Sequence, residues 1–157
     1  ISALVLLPQE VCFVICGTGE LEDRLRNVVR ERGLEKRISW QGNVSHDALP
    51  LLLQSSDVFI RPSLTEGLGN SFLEAMAAGI PTIGTPVGGI PDFLEEGKTG
   101  FLCEPKNPKS IAGAIERALA ISEKEKAQLH QHALQIIKEK YNWEYIVSRM
   151  KALFFQL

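Results

Sequence analysis

Two signatures alternate along the chain: short continuous apolar runs closed by Gly or Pro, and longer stretches in which apolar residues recur every three to four positions. The first signature marks strands buried on both faces, as in parallel sheets. Val11–Cys16 (VCFVIC, closed by Gly17) carries it most clearly, and Arg37–Gln41, Val58–Ile60 before Pro62, Pro81–Gly84 and Phe101–Cys103 read as further strands. The second signature predicts helices. Leu21, Leu25, Val28 and Val29 recur within Glu20–Arg32, and Gly33 stops the pattern at a typical position just past a helix end. Ser45 caps a helix reaching about Gln54, with Leu49, Leu52 and Leu53 on one face. Ser71–Ala78 is helical, and Asp92 is the expected cap of a short helical turn. The rest is helix: Asn107 with Pro108 opens one, Ser122 with Glu125 forms a capping box for the next, and Asn142 caps the last. That terminal helix carries an apolar stripe, Trp143, Tyr145, Ile146, Val147, Met150, Leu153, Phe154 and Phe155, expected to pack on the core or on a further domain.

Strands alternating with helices imply βαβ units joined by right-handed crossovers, so the fold class is α/β: a Rossmann-like parallel sheet with helices on both faces, in one domain over residues 1–157. Ligands in such sheets bind beyond the carboxyl ends of the strands. Three loops there are Gly-rich: Gly17-Thr18-Gly19, Gly67-Leu68-Gly69-Asn70 and Gly88-Gly89.

Composition narrows the partners. Apolar residues at 45% and charged residues at 23% are globular values, and a net charge of −2 offers no global attraction to nucleic acid or to an anionic membrane. No apolar run is long enough to span a bilayer. Cys12, Cys16 and Cys103 form no metal cluster and no even disulfide framework, which fits a reduced, cytoplasmic setting with Cys12 and Cys16 packed in a buried strand. His46, His130 and His132 are expected on solvated helical surface, no Asp-x-Asp occurs and no metal site is expected. In that setting the sequon Asn43-Val44-Ser45 would go unmodified.

The first Gly loop invites a dinucleotide fingerprint, but Glu22 stands where the third glycine belongs, placing a carboxylate where helix and strand must meet and a pyrophosphate would lie. Gly17 and Gly19 then either turn the chain tightly or approach another ligand. The second loop is richer. Gly67 and Gly69 let backbone approach a ligand, and the free amides at the front of the following helix suit a phosphate. Glu66 and Glu74 bracket those amides; they repel phosphate and suit neutral hydroxyls, so the pattern is that of a phosphate flanked by polyols. The competing reading makes Ser71-Phe72-Leu73-Glu74 a capping box and Glu66 a solvated charge.

Glu66 and Glu74 form an E-x7-E pair, and the match extends through Asp57-Val58-Phe59-Ile60, Pro62-Ser63, Glu66-Gly67-Leu68-Gly69, Leu73 through Pro81, Gly88-Gly89 and Gly97-x-Thr99-Gly100-Phe101-Leu102. In these motifs the chain resembles the carboxyl-terminal, donor-binding domain of the family 4 (group 1) retaining glycosyltransferases of GT-B fold. The resemblance implies metal-independent transfer from a nucleotide diphosphate sugar, with the donor as substrate and no cofactor. Glu66 would be the catalytic residue, contacting hydroxyls of the donor sugar, and the backbone of Gly67, Leu68, Gly69, Asn70 and Ser71 would hold phosphates or sugar. Glu74 would bind the ribose, the base would rest on Gly42-Asn43-Val44, and Gly17 and Gly19 would join the donor site. Gly88 and Gly89 would line the pocket or simply form a turn. The acceptor, a sugar, lipid-linked sugar or polysaccharide, would be held by an amino-terminal domain, and the isolated fragment would be inactive. The full-length protein would be cytoplasmic or peripheral to the inner face of the membrane. Family members also carry a preceding strand, central in the sheet, and a loop with an Arg and a Lys; neither is present. Another segment, a second copy or a partner is therefore expected to complete the sheet, or the sheet is rearranged; one continuous ordinary sheet would contradict this. A different GT-B enzyme, such as a sugar-nucleotide epimerase or phosphorylase, and a noncatalytic interaction module are the alternatives.

Overall fold

The computed structural model describes residues 1–154. Its strands are β1 (Phe13–Cys16), β2 (Ile38–Gly42), β3 (Phe59–Arg61), β4 (Thr82–Gly84) and β5 (Phe101–Leu102). The helices between and after them are α1 (Glu22–Glu31), α2 (Leu49–Gln54), α3 (Asn70–Ala77), α4 (Pro108–Ala120), α5 (Glu123–Ile136) and α6 (Trp143–Phe154). Local chemistry explains the helix starts in the carboxyl-terminal third. Asn107 accepts from the Lys109 and Ser110 amides, each at 3.1 Å, with Pro108 in the first turn. Ser122 and Glu125 form the reciprocal capping box. Asn142 accepts from the Tyr145 amide at 2.7 Å. Two expected caps are displaced: Asp92 ends the short 3-10 turn Ile90–Asp92 instead of opening it, because Pro91 already sets the backbone of its first turn, and α2 has Ala48 as its N-cap, with Ser45 accepting from the Ala48 amide at 3.3 Å in the turn that precedes the helix.

All pairings are parallel, but the sheet is in two pieces, β1 with β2 and β3-β4-β5. One apolar cluster joins them. It takes Ile38 from β2, Ile83 from β4 and Phe101 from β5, with Ala112, Ala114, Ile115 and Ala118 of α4 and Leu4 packed on them. Phe72 and Met76 of α3, Phe93, Leu94 and Ala133 of α5 form a second cluster, so helices cover the three-stranded piece on both faces. The expectation of an incomplete or rearranged sheet matches this division. Phe13 of β1 and Ile60 of β3 border a groove of about 420 Å³, which is also lined by Ile1, Pro62, Lys106 and Ile111.

The structure corrects two expectations and narrows a third. β1 is not buried on both faces: Phe13 and Ile15 turn inward, whereas Val14 is 47% exposed. Alternate residues of a strand point to opposite faces, and the second face of this two-stranded piece carries too little cover to exclude water. Cys12 and Cys16 are exposed for the same reason, and the buried cysteine is Cys103, whose thiol is pushed up to about 11 by burial. The apolar stripe of α6 does not pack on the core: Trp143 is 77% and Phe154 69% exposed. Phe155 lies outside the described residues. No helix among the described residues is long and apolar enough to cross a membrane.

The amino-terminal segment is anchored by a buried cation. Arg37 is 7% exposed, and its guanidinium donates to the carbonyls of Val11 at 2.9 Å, Leu7 at 3.4 Å and Pro8. Removing it leaves several half-buried carbonyls without a donor, each costing on the order of 1 kcal/mol or more. Arg37→Ala is therefore expected to lower the unfolding free energy in urea by about 2–3 kcal/mol, with Arg37→Lys recovering part of the loss. A change under about 0.5 kcal/mol in Arg37→Ala would mean that water serves those carbonyls equally well.

Candidate functional site

β3 ends at Arg61, and Pro62 holds that residue in extended backbone, since a proline ring disfavours a helical conformation one residue before it. The chain then runs through Ser63–Leu68 into α3, whose N-cap is Gly69 at φ +69°, in the left-handed region. A Cβ on Gly69 would come within 2.7 Å of the Phe72 ring and 3.1 Å of Glu66 Cγ, so glycine is required there on two grounds. With the cap at Gly69, Ser71 lies inside the helix. No side chain caps the amides at its start, and the capping box between Ser71 and Glu74 does not form. The Ser71 hydroxyl instead accepts from Arg61 Nη1 at 2.8 Å. Glu74 lies one turn on, half-buried, as is Ser71, while Gly67, Leu68 and Asn70 are exposed.

Glu66 is held from two sides. Its side chain is 14% exposed, and Oε2 receives Arg61 Nη2 at 3.0 Å and the Ser63 hydroxyl at 3.3 Å. Behind it, the loop after β4 presses directly on its backbone. Thr85 donates to the Ser63 carbonyl at 2.6 Å, and the Gly89 amide donates to the Gly67 carbonyl at 3.0 Å. Gly88 sits at φ +55°, and a Cβ there would overlap the Glu66 carbonyl oxygen; a Cβ on Gly89 would strike the Gly67 carbonyl. The pair does turn the chain, but its tighter requirement is the contact between two loops.

The loops after β1 and β2 form a second group. The Gly17 amide donates to the Gly42 carbonyl at 2.6 Å, and Thr18 Oγ1 donates to Asn43 Oδ1 at 3.4 Å. Gly17 at φ +103° and Gly42 at φ +60° need glycine for backbone conformation. A Cβ on Gly17, Gly19 or Gly42 would meet nothing within 4 Å, so the space beside them is open. Asn43 is exposed and Val44 half-buried. Glu22 is engaged with Arg26 at 2.7 Å, and the Arg26 guanidinium lies over the Trp40 ring of β2 at 4.4 Å. The structure thus gathers the sequence-predicted residues into two loop groups, Gly17–Gly19 with Gly42–Val44 and Glu66–Glu74 with Gly88–Gly89. Both lie at the carboxyl ends of parallel strands, on either side of the division between the sheet pieces.

Sequence reasoning missed Arg61, Ser63 and Thr85. Arg61 had a signal: it is a lone cation closing an apolar strand immediately before a proline. Thr85 had none, because its partner is 22 residues away. The histidines divide. His46 and His132 are exposed as expected, whereas His130 packs its ring 3.1 Å from the Cβ position of Gly79, with Nε2 buried and without a partner among the described residues. Contact between α3 and α5 brings it inward.

Residues 1–136 match the family model described as glycosyl transferases group 1. The chain is 35% identical over 136 residues to an uncharacterized glycosyltransferase of Methanocaldococcus jannaschii, covering 87% of this chain and 35% of that protein. It is 28% identical over 145 residues to the GDP-mannose-dependent alpha-(1-6)-phosphatidylinositol monomannoside mannosyltransferase of Mycobacterium tuberculosis, covering 88% and 37% respectively. Among solved structures, sucrose-phosphate synthase from Thermosynechococcus elongatus superposes with a TM-score of 0.86 at 28% identity over 99% of this chain and 40% of its own. The chain therefore spans well under half the length of these relatives. By the extent of the family match and the shared fold, the chain belongs to the group 1 glycosyltransferases and has the fold of their carboxyl-terminal GT-B domain.

Proposed function

We propose that this chain holds the nucleotide diphosphate sugar for a retaining transferase whose acceptor is bound by a separate domain. The observation that carries the reading is the front of α3. Its first amides have no side-chain cap, and two half-buried carboxylates, Glu66 and Glu74, stand on either side of them. Uncapped amides with a helix dipole behind them favour an anion, and carboxylates favour hydroxyl donors. A diphosphate with a sugar at one end and a ribose at the other satisfies both. Glu66 serves the donor sugar, the amides of Gly67–Ser71 the phosphates, and Glu74 the ribose. The open space beside Gly17, Gly19 and the Gly42–Val44 loop receives the nucleoside. Breaking the glycosidic bond loads negative charge onto the departing diphosphate, and preoriented amides stabilise it without a reorganisation cost at that moment. The donor is a substrate, and the proposed step uses no cofactor. The named activity of a relative as GDP-mannose-dependent supports this class of donor.

The divided sheet bears on assembly. A strand entering between β1 and β3, parallel to both, would join the two pieces through backbone hydrogen bonds. Such a strand comes from a region of the kind that the longer relatives carry beyond the matched part, or from a second copy. Sedimentation at micromolar and higher concentration separates the two: a strictly monomeric chain removes the second copy as its source.

Titration by calorimetry with UDP-glucose, GDP-mannose and their free nucleoside diphosphates tests the donor reading. Glu74→Ala is expected to weaken nucleotide and nucleotide sugar alike by roughly tenfold, the value of a hydrogen bond to a charged group. Equal affinity in the variant would remove Glu74 from the ribose. Gly88→Ala is expected to abolish donor binding by pushing the Glu66 backbone out of place, and a variant that still binds as wild type would show that the loop position is immaterial.

A further inference from the structure

We propose that Arg61 is a positioning residue of the donor site: its guanidinium clamps Glu66 through one carboxylate oxygen and the first turn of α3 through Ser71, leaving the other oxygen of Glu66 for the donor sugar. The inference rests on the donor reading above and assigns a residue that the shared motifs do not mark.

The geometry is specific to a forked cation. Nη2 lies 3.0 Å from Glu66 Oε2 while Nη1 lies 2.8 Å from Ser71 Oγ, so one planar group spans the loop from its carboxylate to its helix. Ser63 adds its hydroxyl to the same Oε2. Among the described residues Oε1 takes no partner. The carboxylate is therefore oriented with one oxygen spent on the protein and one available for a hydroxyl. Extended backbone enforced by Pro62 fixes the direction from which Arg61 reaches the loop.

Charge leads to the same residue. Between Arg37 and Lys98, Arg61 is the only lysine or arginine in the sequence, and this stretch contains both the base loop and the carboxylate loop. Arg37 is buried on backbone carbonyls, and Lys98 is engaged with Glu95 at 2.9 Å. Arg61 is therefore the cation of this stretch that stands within ion-pair distance of Glu66. Arg61 itself stays 48% exposed on its side chain, so it can hold Glu66 while remaining hydrated. Its role is exerted through Glu66 and Ser71 and requires no contact with the donor.

The test compares the intact chain with Arg61→Gln, Arg61→Lys, Glu66→Gln and the Arg61→Gln/Glu66→Gln double variant, each titrated with UDP-glucose and UDP and with GDP-mannose and GDP. Far-UV circular dichroism and melting check each fold, and Arg61→Lys carries the comparison should Arg61→Gln fail to fold. The expected result is a roughly tenfold loss of affinity for the nucleotide sugar in Arg61→Gln, with the free nucleoside diphosphate within about twofold of wild type. Arg61→Lys, which restores one arm of the clamp, should recover part of the loss. The double variant should match Glu66→Gln alone, since the clamp has nothing left to orient. Unchanged nucleotide-sugar affinity in the folded Arg61 variants, an equal loss for sugar and free diphosphate, or additive losses in the double variant would overturn the clamp alone. A wild-type chain that binds neither nucleotide sugar overturns the donor reading and the clamp with it.

Discussion

The contact on which the candidate site depends is a backbone-to-backbone approach between the loops after β3 and β4. Gly88 lies so close to the Glu66 carbonyl that no side chain fits between them, and the Gly89 amide closes the gap with a hydrogen bond to Gly67. Thr85 adds a third tie to Ser63. A loop held through its main chain at three successive points is rigid where a loop held by side chains would not be. That rigidity places a carboxylate and the open front of a helix at a fixed offset, which a binding site needs before any ligand arrives.

Electrostatic balance in this corner is unusual for an acidic stretch proposed to receive an anion. Two carboxylates flank the amides at the start of α3. Arg61 offsets part of that charge and simultaneously uses up one oxygen of Glu66. The remaining positive potential comes from peptide dipoles at the start of α3, a source that is fixed in direction and cannot move away from the site.

The split sheet is the fold's other governing feature. One apolar cluster drawing on both pieces keeps β1 and β2 beside β3-β4-β5 without hydrogen bonds between β1 and β3. The two loop groups proposed to hold the two ends of one donor therefore belong to different pieces, and the distance between them is set by side-chain packing and by whatever occupies the intervening groove. Val14 on β1 and the stripe of α6 leave apolar side chains of this domain exposed.

What the sequence determined by itself was local and periodic. The five strands, the helices and the caps at Asn107, Ser122 and Asn142 could be read from it because each depends on residues within about four positions of one another. The carboxylate pair and its glycines were legible for the same reason, all lying in one loop and the next two turns. Tertiary structure decided the rest. Ser71-Phe72-Leu73-Glu74 satisfies the capping-box pattern, yet Gly69 takes the cap and Arg61, ten residues back, takes the serine. VCFVIC reads as a strand buried on both faces, yet exposure of Val14 and Cys16 follows from which strands and helices neighbour it. His130 reads as surface, yet α5 lies against α3 and presses it onto Gly79. A periodic pattern states which side of an element is apolar, but only the pairing of distant segments determines whether anything covers that side.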